Sequence, residues 1–218
     1  MSAQLSKNPT RGDWRQAARA AMLKATIQEA VQRYGTAEPP YNYRWEHVTA
    51  VVTLALKLAE LTGADVEVVE AAGWLHDVAK GHKANHPVVG ADFVREFLPQ
   101  TDFPPEKIEQ VAQAILVHTG LWRDEPLTNL EAMVLWDADK LTKIGLTAAF
   151  HWTGMILTGE KLVSTATLIA RGRAADWQSK TVASMHTAPA RRAAEARLAA
   201  YNQLWDTLER ELTGGDLF

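Results

Sequence analysis

A histidine and an aspartate stand side by side in the run Ala71-Ala72-Gly73-Trp74-Leu75-His76-Asp77-Val78-Ala79-Lys80. A neutral imidazole beside a carboxylate suits a divalent metal of borderline hardness. Each is costly to bury in an apolar helix unless a partner compensates it. The pair has company: His47 upstream, then His86, His118 and Asp139 downstream, each in its own expected helix or at a helix end. Helical bundles assemble metal centres from inward side chains on facing helices, and the order His, His-Asp, His, His, Asp fits that plan. Taken singly, each residue has an ordinary reading. His47 could be a core histidine bonded to a neighbour, His86 a cap before Pro87, and His118 a cation at a helix C-terminus. The joint pattern is what points to a metal.

Asp137 and Asp139 compete for the last carboxylate position. Helical periodicity puts Asp137 on the stripe of Met133, Val134, Leu141 and Ile144, and Asp139 nearer Leu135, Trp136 and Thr142. Pattern alone leans to Asp137 as the buried one. Lys80 follows Asp77 by three positions and His76 by four, so its ammonium emerges over the same surface. A cation beside a metal calls for an anion between them, such as a phosphate. Mixed imidazole and carboxylate ligation suits Mn, Fe, Ni, Co or Zn rather than Mg or Ca. His82 is expected in solvent, and His151 and His186, without acidic companions, in core or surface roles. Trp74 and Trp136 read as core, and Trp122, after Gly120, as the wall of a substrate pocket.

The elements that must position these residues are nearly all helices. Ala and Leu abound, and runs of alternating β-branched residues are scarce. Asp13 caps a helix to about Tyr34, with Ala18, Met22, Ile27, Ala30 and Val31 inward. After the break at Pro39-Pro40 a second helix runs from about Arg44 to Leu61, with His47, Val51, Leu54, Ala55 and Leu58 on one face. A third starts at Asp65, carries His76-Asp77 and stops near Gly81. Pro87 opens a fourth, to about Leu98, and Pro104-Pro105 a fifth, ending at Thr119-Gly120. Asn129 starts a helix that carries both aspartates and continues, kinked near Gly145, to about Thr158. Lys161–Ala170 and Ala174–Met185 form shorter helices, and Pro189 opens a final amphipathic helix that Gly214-Gly215 ends.

At 218 residues and 47% hydrophobic, the chain can bury one sizeable core and is too short for two comfortable ones. The expectation is an all-α, single-domain helical bundle over residues 13–218, preceded by a flexible tail at 1–12. A net charge of -3 argues against general nucleic-acid binding. The absence of cysteine rules out disulfides and thiolate zinc sites. No apolar run reaches the roughly 20 residues that span a bilayer. Met1–Gly12 lacks the apolar core of a signal peptide, so a cytoplasmic location is expected.

Three segments, Arg44-Trp45-Glu46-His47-Val48, Leu75-His76-Asp77-Val78-Ala79-Lys80 and Ala138-Asp139-Lys140-Leu141, resemble the HD superfamily of metal-dependent phosphohydrolases. His86-Pro87-Val88-Val89-Gly90-Ala91 and Ala114-Ile115-Leu116-Val117-His118-Thr119-Gly120 are similar to its binuclear branch. The tail, with Met185-His186-Thr187 and an Arg-rich last helix, looks like small single-domain bacterial members, so the resemblance spans roughly Tyr41 to Leu212. It implies metal ligation by His47, His76, Asp77 and Asp139, with His86 and His118 holding a second ion or contacting phosphate. It favours Asp139 over Asp137 as the ligand and leaves Asp137 a supporting or substrate-side role. It implies that Lys80 and Arg44 meet phosphate. Thr142 departs from the aspartate common after Ala-Asp-Arg-Leu in small pyrophosphatase-like relatives.

The expected function is hydrolysis of a phosphoester or phosphoanhydride of a small molecule, a nucleotide, using one or two divalent transition-metal ions. Asp77, Lys80 and Asp137 are the candidate catalytic groups. Arg44, Lys80, His118 and Trp122 are the candidate substrate contacts. The same ligand set could serve a di-iron oxygenase of the HD fold, and a non-catalytic helical binding module is the third reading.

Overall fold

The computed structural model describes residues 12–158 and 163–218. Residues 1–11 of the expected tail and the start of the helix expected from Lys161 lie outside them. Gly12 itself is tied down. It bridges to Thr101, and its carbonyl accepts from the Asp102 N–H at 3.1 Å. Ten α-helices and no strand are found among the described residues. No helix there is long and apolar enough to cross a membrane.

Helix α1 (Trp14–Tyr34) begins where the Asp13 side chain accepts from Arg15 N–H and ends at Gly35, in the left-handed region. Its buried stripe is Trp14, Ala18, Met22, Thr26 and Ala30. Ile27 and Val31, expected inward, are exposed. Thr26 takes the inner position because its hydroxyl donates to the Leu23 carbonyl at 2.8 Å and so enters the core satisfied. Helix α2 (Tyr43–Thr62) is capped by Asn42 and turns His47, Val51, Ala55 and Leu58 inward. Helix α3 (Val66–Leu75) is shorter than periodicity predicts. His76 closes its last turn, and after a turn at Asp77–Ala79 the chain enters a 3₁₀ stretch at Lys80–Asn85 with Lys83 at φ 53°.

Helix α4 (His86–Phe97) carries Pro87 in its first turn. Helix α5 (Ile108–Leu116) stops short of the expected Gly120, which leaves His118 in the turn beyond. Asn129 caps α6 (Leu130–Leu141). The expected kinked helix is two helices, α6 and α7 (Gly145–Leu157), because the chain turns through Gly145 at φ +80°. A Cβ there would sit 2.6 Å from that of Arg197, so both conformation and space call for glycine. Helices α8 (Thr165–Arg173), α9 (Trp177–Ala183) and α10 (Ala188–Thr213) complete the chain.

The main core joins α1 to α6 and the start of α10 through residues such as Val51, Leu75, Leu98, Ile115, Leu135 and Ala194. A smaller cluster of Ala149, Ile169, Tyr201 and Trp205 joins α7, α8 and α10. The second cluster rests on a close approach: a Cβ on Gly172 would lie 2.2 Å from the Trp205 indole. Gly172→Ala should therefore lower stability by about 1–3 kcal/mol in urea denaturation, as overpacking does; an unchanged midpoint would show that α8 and α10 are loosely packed.

Candidate metal centre

Five different connections in the fold deliver six side chains to one place. His47 comes from the second turn of α2 and His76-Asp77 from the turn after α3. His86 opens α4, His118 follows α5, and Asp139 sits near the end of α6. All six are buried. The early ends of α3 and α5 matter here. Beyond their last helical residues the backbone turns, so Asp77 and His118 point at the common centre rather than along a helix face.

Each imidazole is held by its Nδ1. That of His76 reaches the Gly73 carbonyl at 2.8 Å, His86 that of Lys83 at 2.5 Å, and His118 that of Ile115 at 2.6 Å. A carbonyl only accepts, so these Nδ1 atoms carry the proton and Nε2 is bare in the neutral ring. For His47, Nδ1 meets Thr142 Oγ1 at 2.9 Å. The Thr142 hydroxyl donates to the Asp139 carbonyl at 2.7 Å, so it accepts from His47, whose Nε2 is bare too. Orientation through the far ring nitrogen is how proteins fix metal-binding histidines.

The four bare nitrogens converge. His47 Nε2 lies 3.3 Å from His76 Nε2, and His86 Nε2 lies 3.3 Å from His118 Nε2. Asp77 stands between the pairs. Its Oδ2 is 3.6 Å from both His47 and His76 Nε2, and its Oδ1 is 3.6 Å from both His86 and His118 Nε2. Asp139 Oδ1 is 3.3 Å from His47 Nε2. Lone pairs aimed at one another across such distances repel unless a cation lies among them. Protons are a poor answer at neutral pH, since burial pushes His47 down to about 4 and His76 to about 3. His86 is lowered as well, by burial and then by Lys80. Asp77 Oδ1 and Asp139 Oδ1 are buried and are approached by lysine ammonium groups but by no well-aligned hydrogen-bond donor among the described residues. Two groups have the spacing of metal sites, His47-His76-Asp77 and Asp77-His86-His118, and Asp77 is common to both. The donor set fits one or two divalent transition-metal ions.

Cations surround the carboxylates. Arg44 pairs with Asp77 and, through Nε and Nη2, with Glu29 of α1 at 2.7 and 3.2 Å. Lys80 Nζ is 3.0 Å from Asp77 Oδ1. Lys140 pairs with Asp139, donates to the His118 carbonyl at 2.8 Å and lies 4.1 Å from the Trp136 ring centroid. Lys143 Nζ is 2.6 Å from Asp139 Oδ1. Burial opposes ionisation of both carboxyls. Arg44, His76, His118 and Lys80 outweigh it at Asp77, and Lys140, Lys143 and His47 at Asp139, so both are held well below the usual carboxylate range. Burial brings Lys140 down to about 7 against the pull of Asp139.

Three of the expected site residues are engaged with other protein groups. Asp137, a candidate catalytic group, faces away from the cluster. Its oxygens accept from His186 N–H at 2.9 Å and from Thr187 N–H and Oγ1–H, both at 2.7 Å, anchoring the start of α10. Arg44 is buried in its two ion pairs, with Asp77 and Glu29. Trp122 is 41% exposed under the Lys180 ammonium, and its neighbour Leu121 lines the adjacent cavity in its place. His186, expected to lack an acidic companion, lies 3.5 Å from Asp137. Thr142 is given no role at the site by the sequence, and Lys140 and Lys143, readable as solvent partners of Asp139, pair with it in the interior. The i,i+4 spacing of Asp139 and Lys143 is a legible signal; the buried lysine 140 carries none.

That cavity, of about 420 Å³, begins at the centre's edge with Tyr43, Thr142 and Lys143 and runs between α7, α8, α9 and α10. Tyr43 stacks on His47 with centroids 5.7 Å apart and an interplanar angle of 12°. A second, polar cavity of about 260 Å³ reaches Asp77 and Lys80 from the side of Gln28, Glu29 and Gln32.

The HD domain family model matches residues 44–144. That span holds every residue of the cluster. Solved structures share the fold. Bacillus subtilis YpgQ in complex with ADP is 22% identical with a TM-score of 0.63, covering 92% of this chain and 98% of that one. An HD-superfamily hydrolase from Bacillus thuringiensis is 17% identical with a TM-score of 0.61, over 91% and 98%. A predicted HD superfamily hydrolase from an uncultured Thermotogales bacterium is 24% identical with a TM-score of 0.56, over 89% and 91%.

The two aspartates of α6 are separable by experiment. Asp137→Ala strands three donors and should cost about 2–4 kcal/mol in chemical denaturation while bound metal persists. Asp139→Ala should lose metal by elemental analysis; the opposite assignment of metal loss would reverse their roles.

Proposed function

We propose that this HD-domain protein is a metal-dependent phosphohydrolase acting on a phosphoester or phosphoanhydride of a nucleotide, with residues 13–218 working as one domain. The observation that carries the reading is the convergence of four bare imidazole nitrogens on the two oxygens of Asp77. His47, His76, Asp77 and Asp139 would hold one ion, and Asp77, His86 and His118 a second. Such ions lower the pKa of water and accept charge from phosphoryl oxygens.

The protein's own groups do the rest. Asp77 and Asp139, together with Glu29, face Arg44, Lys80 and Lys143, three carboxylates against three cations, with Lys140, brought down to about 7, a partial fourth. The centre is therefore not negative before any ion binds, which favours an anionic substrate. Lys80, half-buried beside Asp77 and His86, is placed to stabilise charge developing on a phosphoryl oxygen. Lys143 brings a cation to the floor of the larger cavity. The aromatic walls of that cavity and the ADP held by YpgQ both support a nucleotide.

One observation keeps a second reading in view. Two triads sharing one carboxylate are also what a di-iron oxygenase needs. Oxygen dependence separates the two, since the hydrolase works anaerobically.

Asp77→Ala and His76→Ala should each abolish anaerobic hydrolysis of nucleoside triphosphates and dinucleoside polyphosphates and remove bound metal, with far-UV circular dichroism unchanged. Lys80→Ala should keep the metal and slow turnover by about 10²-fold. Undiminished turnover in the Asp77 or His76 variant would overturn the reading.

A further inference from the structure

The cavity beside the metal centre contains a buried polar atom without a partner. Gln178, on α9, is 1% exposed and lines the cavity. Its Oε1 is buried and meets no hydrogen-bond partner among the described residues. Buried amide oxygens are paired in native proteins with few exceptions, and an exception calls for a cause. A second wall group, His151, has a buried Nδ1 in the same condition.

The surroundings define what could satisfy them. Trp152, Trp177 and Tyr43 offer flat apolar faces, which suit a planar ring. At about 420 Å³ the space is within the range of small-molecule sites. One end opens on Lys143, which touches Asp139, and Arg171 lines the wall as well. A flat ring with a polar edge and an anionic tail satisfies every part of this lining. An alkyl chain would leave the amide unpaired, and a bare phosphate would leave the aromatic walls bare.

We infer that Gln178 is a specificity-determining residue whose amide pairs with the amino-bearing edge of a nucleobase seated in this cavity, with the phosphates directed to Lys143 and the metal centre. The inference rests on the nucleotide reading above. It goes beyond it by assigning the base to one cavity and its discrimination to one side chain outside the matched span of residues 44–144. A site that pairs a polar group on its ligand rejects the analogue lacking it, because its own buried group is then left unsatisfied.

Nucleoside binding tests this without requiring turnover. Quenching of tryptophan fluorescence, with Trp152 and Trp177 in the cavity wall, would be titrated with adenosine against purine riboside and with cytidine against its analogue lacking the amino group. The wild-type chain should bind at least one amino-bearing nucleoside about tenfold more tightly than its amino-free counterpart. Gln178→Leu should erase that preference while leaving bound metal unchanged by elemental analysis. Gln178→Met serves as a second variant should the first fail to fold by thermal melt. A wild-type protein indifferent to the amino group, or a preference that survives in a folded variant, would overturn the assignment. A wild-type chain that hydrolyses no phosphate compound yet keeps its base preference would count against the phosphohydrolase reading and leave the assignment of Gln178 standing.

Discussion

The structure is organised around a carboxylate that has no business being ionised where it sits. Asp77 is buried, and the charged form there is held by Arg44 on one oxygen and by Lys80 on the other. Removing any one support leaves an uncompensated charge in a low-dielectric interior. The need to satisfy it explains why α3 ends at Leu75, one residue before His76. A helix continued through Asp77 would fix the carboxylate on a helical face, whereas the turn lets both its oxygens look into the centre. It also explains why α1 belongs to the site, since Glu29 steadies Arg44 from outside.

The architecture was legible where local chemistry decides it. Asp13, Asn129 and Gly214 mark helix ends as capping rules require. The ligand types and their order also stand out, because histidine and aspartate in core-like segments are costly and so conspicuous. The ends of α3 and α5 were not legible. Val78-Ala79 after α3 and Val117 after α5 continue the apolar pattern past the points where the backbone leaves the helix. What stops it there is the tertiary demand of the centre, which periodicity does not record. The same limit applies to α1, where Ile27 looks apolar enough to be core while Thr26 occupies the inner position.

The α6 aspartates show a different limit. Both are buried, so a test of burial cannot separate them. Their partners do. Asp137 finds backbone N–H groups at the start of α10, and Asp139 finds His47 and two lysines. Two positions of difference on one helix are enough to turn a carboxylate from a structural anchor towards chemistry. Thr142, a departure from the aspartate of similar sequences, has a clear use here. Its hydroxyl relays a hydrogen bond from the His47 ring to the α6 backbone, which an anionic side chain could not do, having no proton to give on.

Tyr43 has one ring face against His47 and also forms part of the cavity wall. The two compartments thus share one side chain, and any shift of that ring is felt on both sides. Thermodynamic reciprocity then binds them together: whatever factor an occupant of the cavity adds to the grip on an ion, the ion returns to the occupant. The equilibrium affinity for the ion therefore becomes a gauge of what the cavity contains.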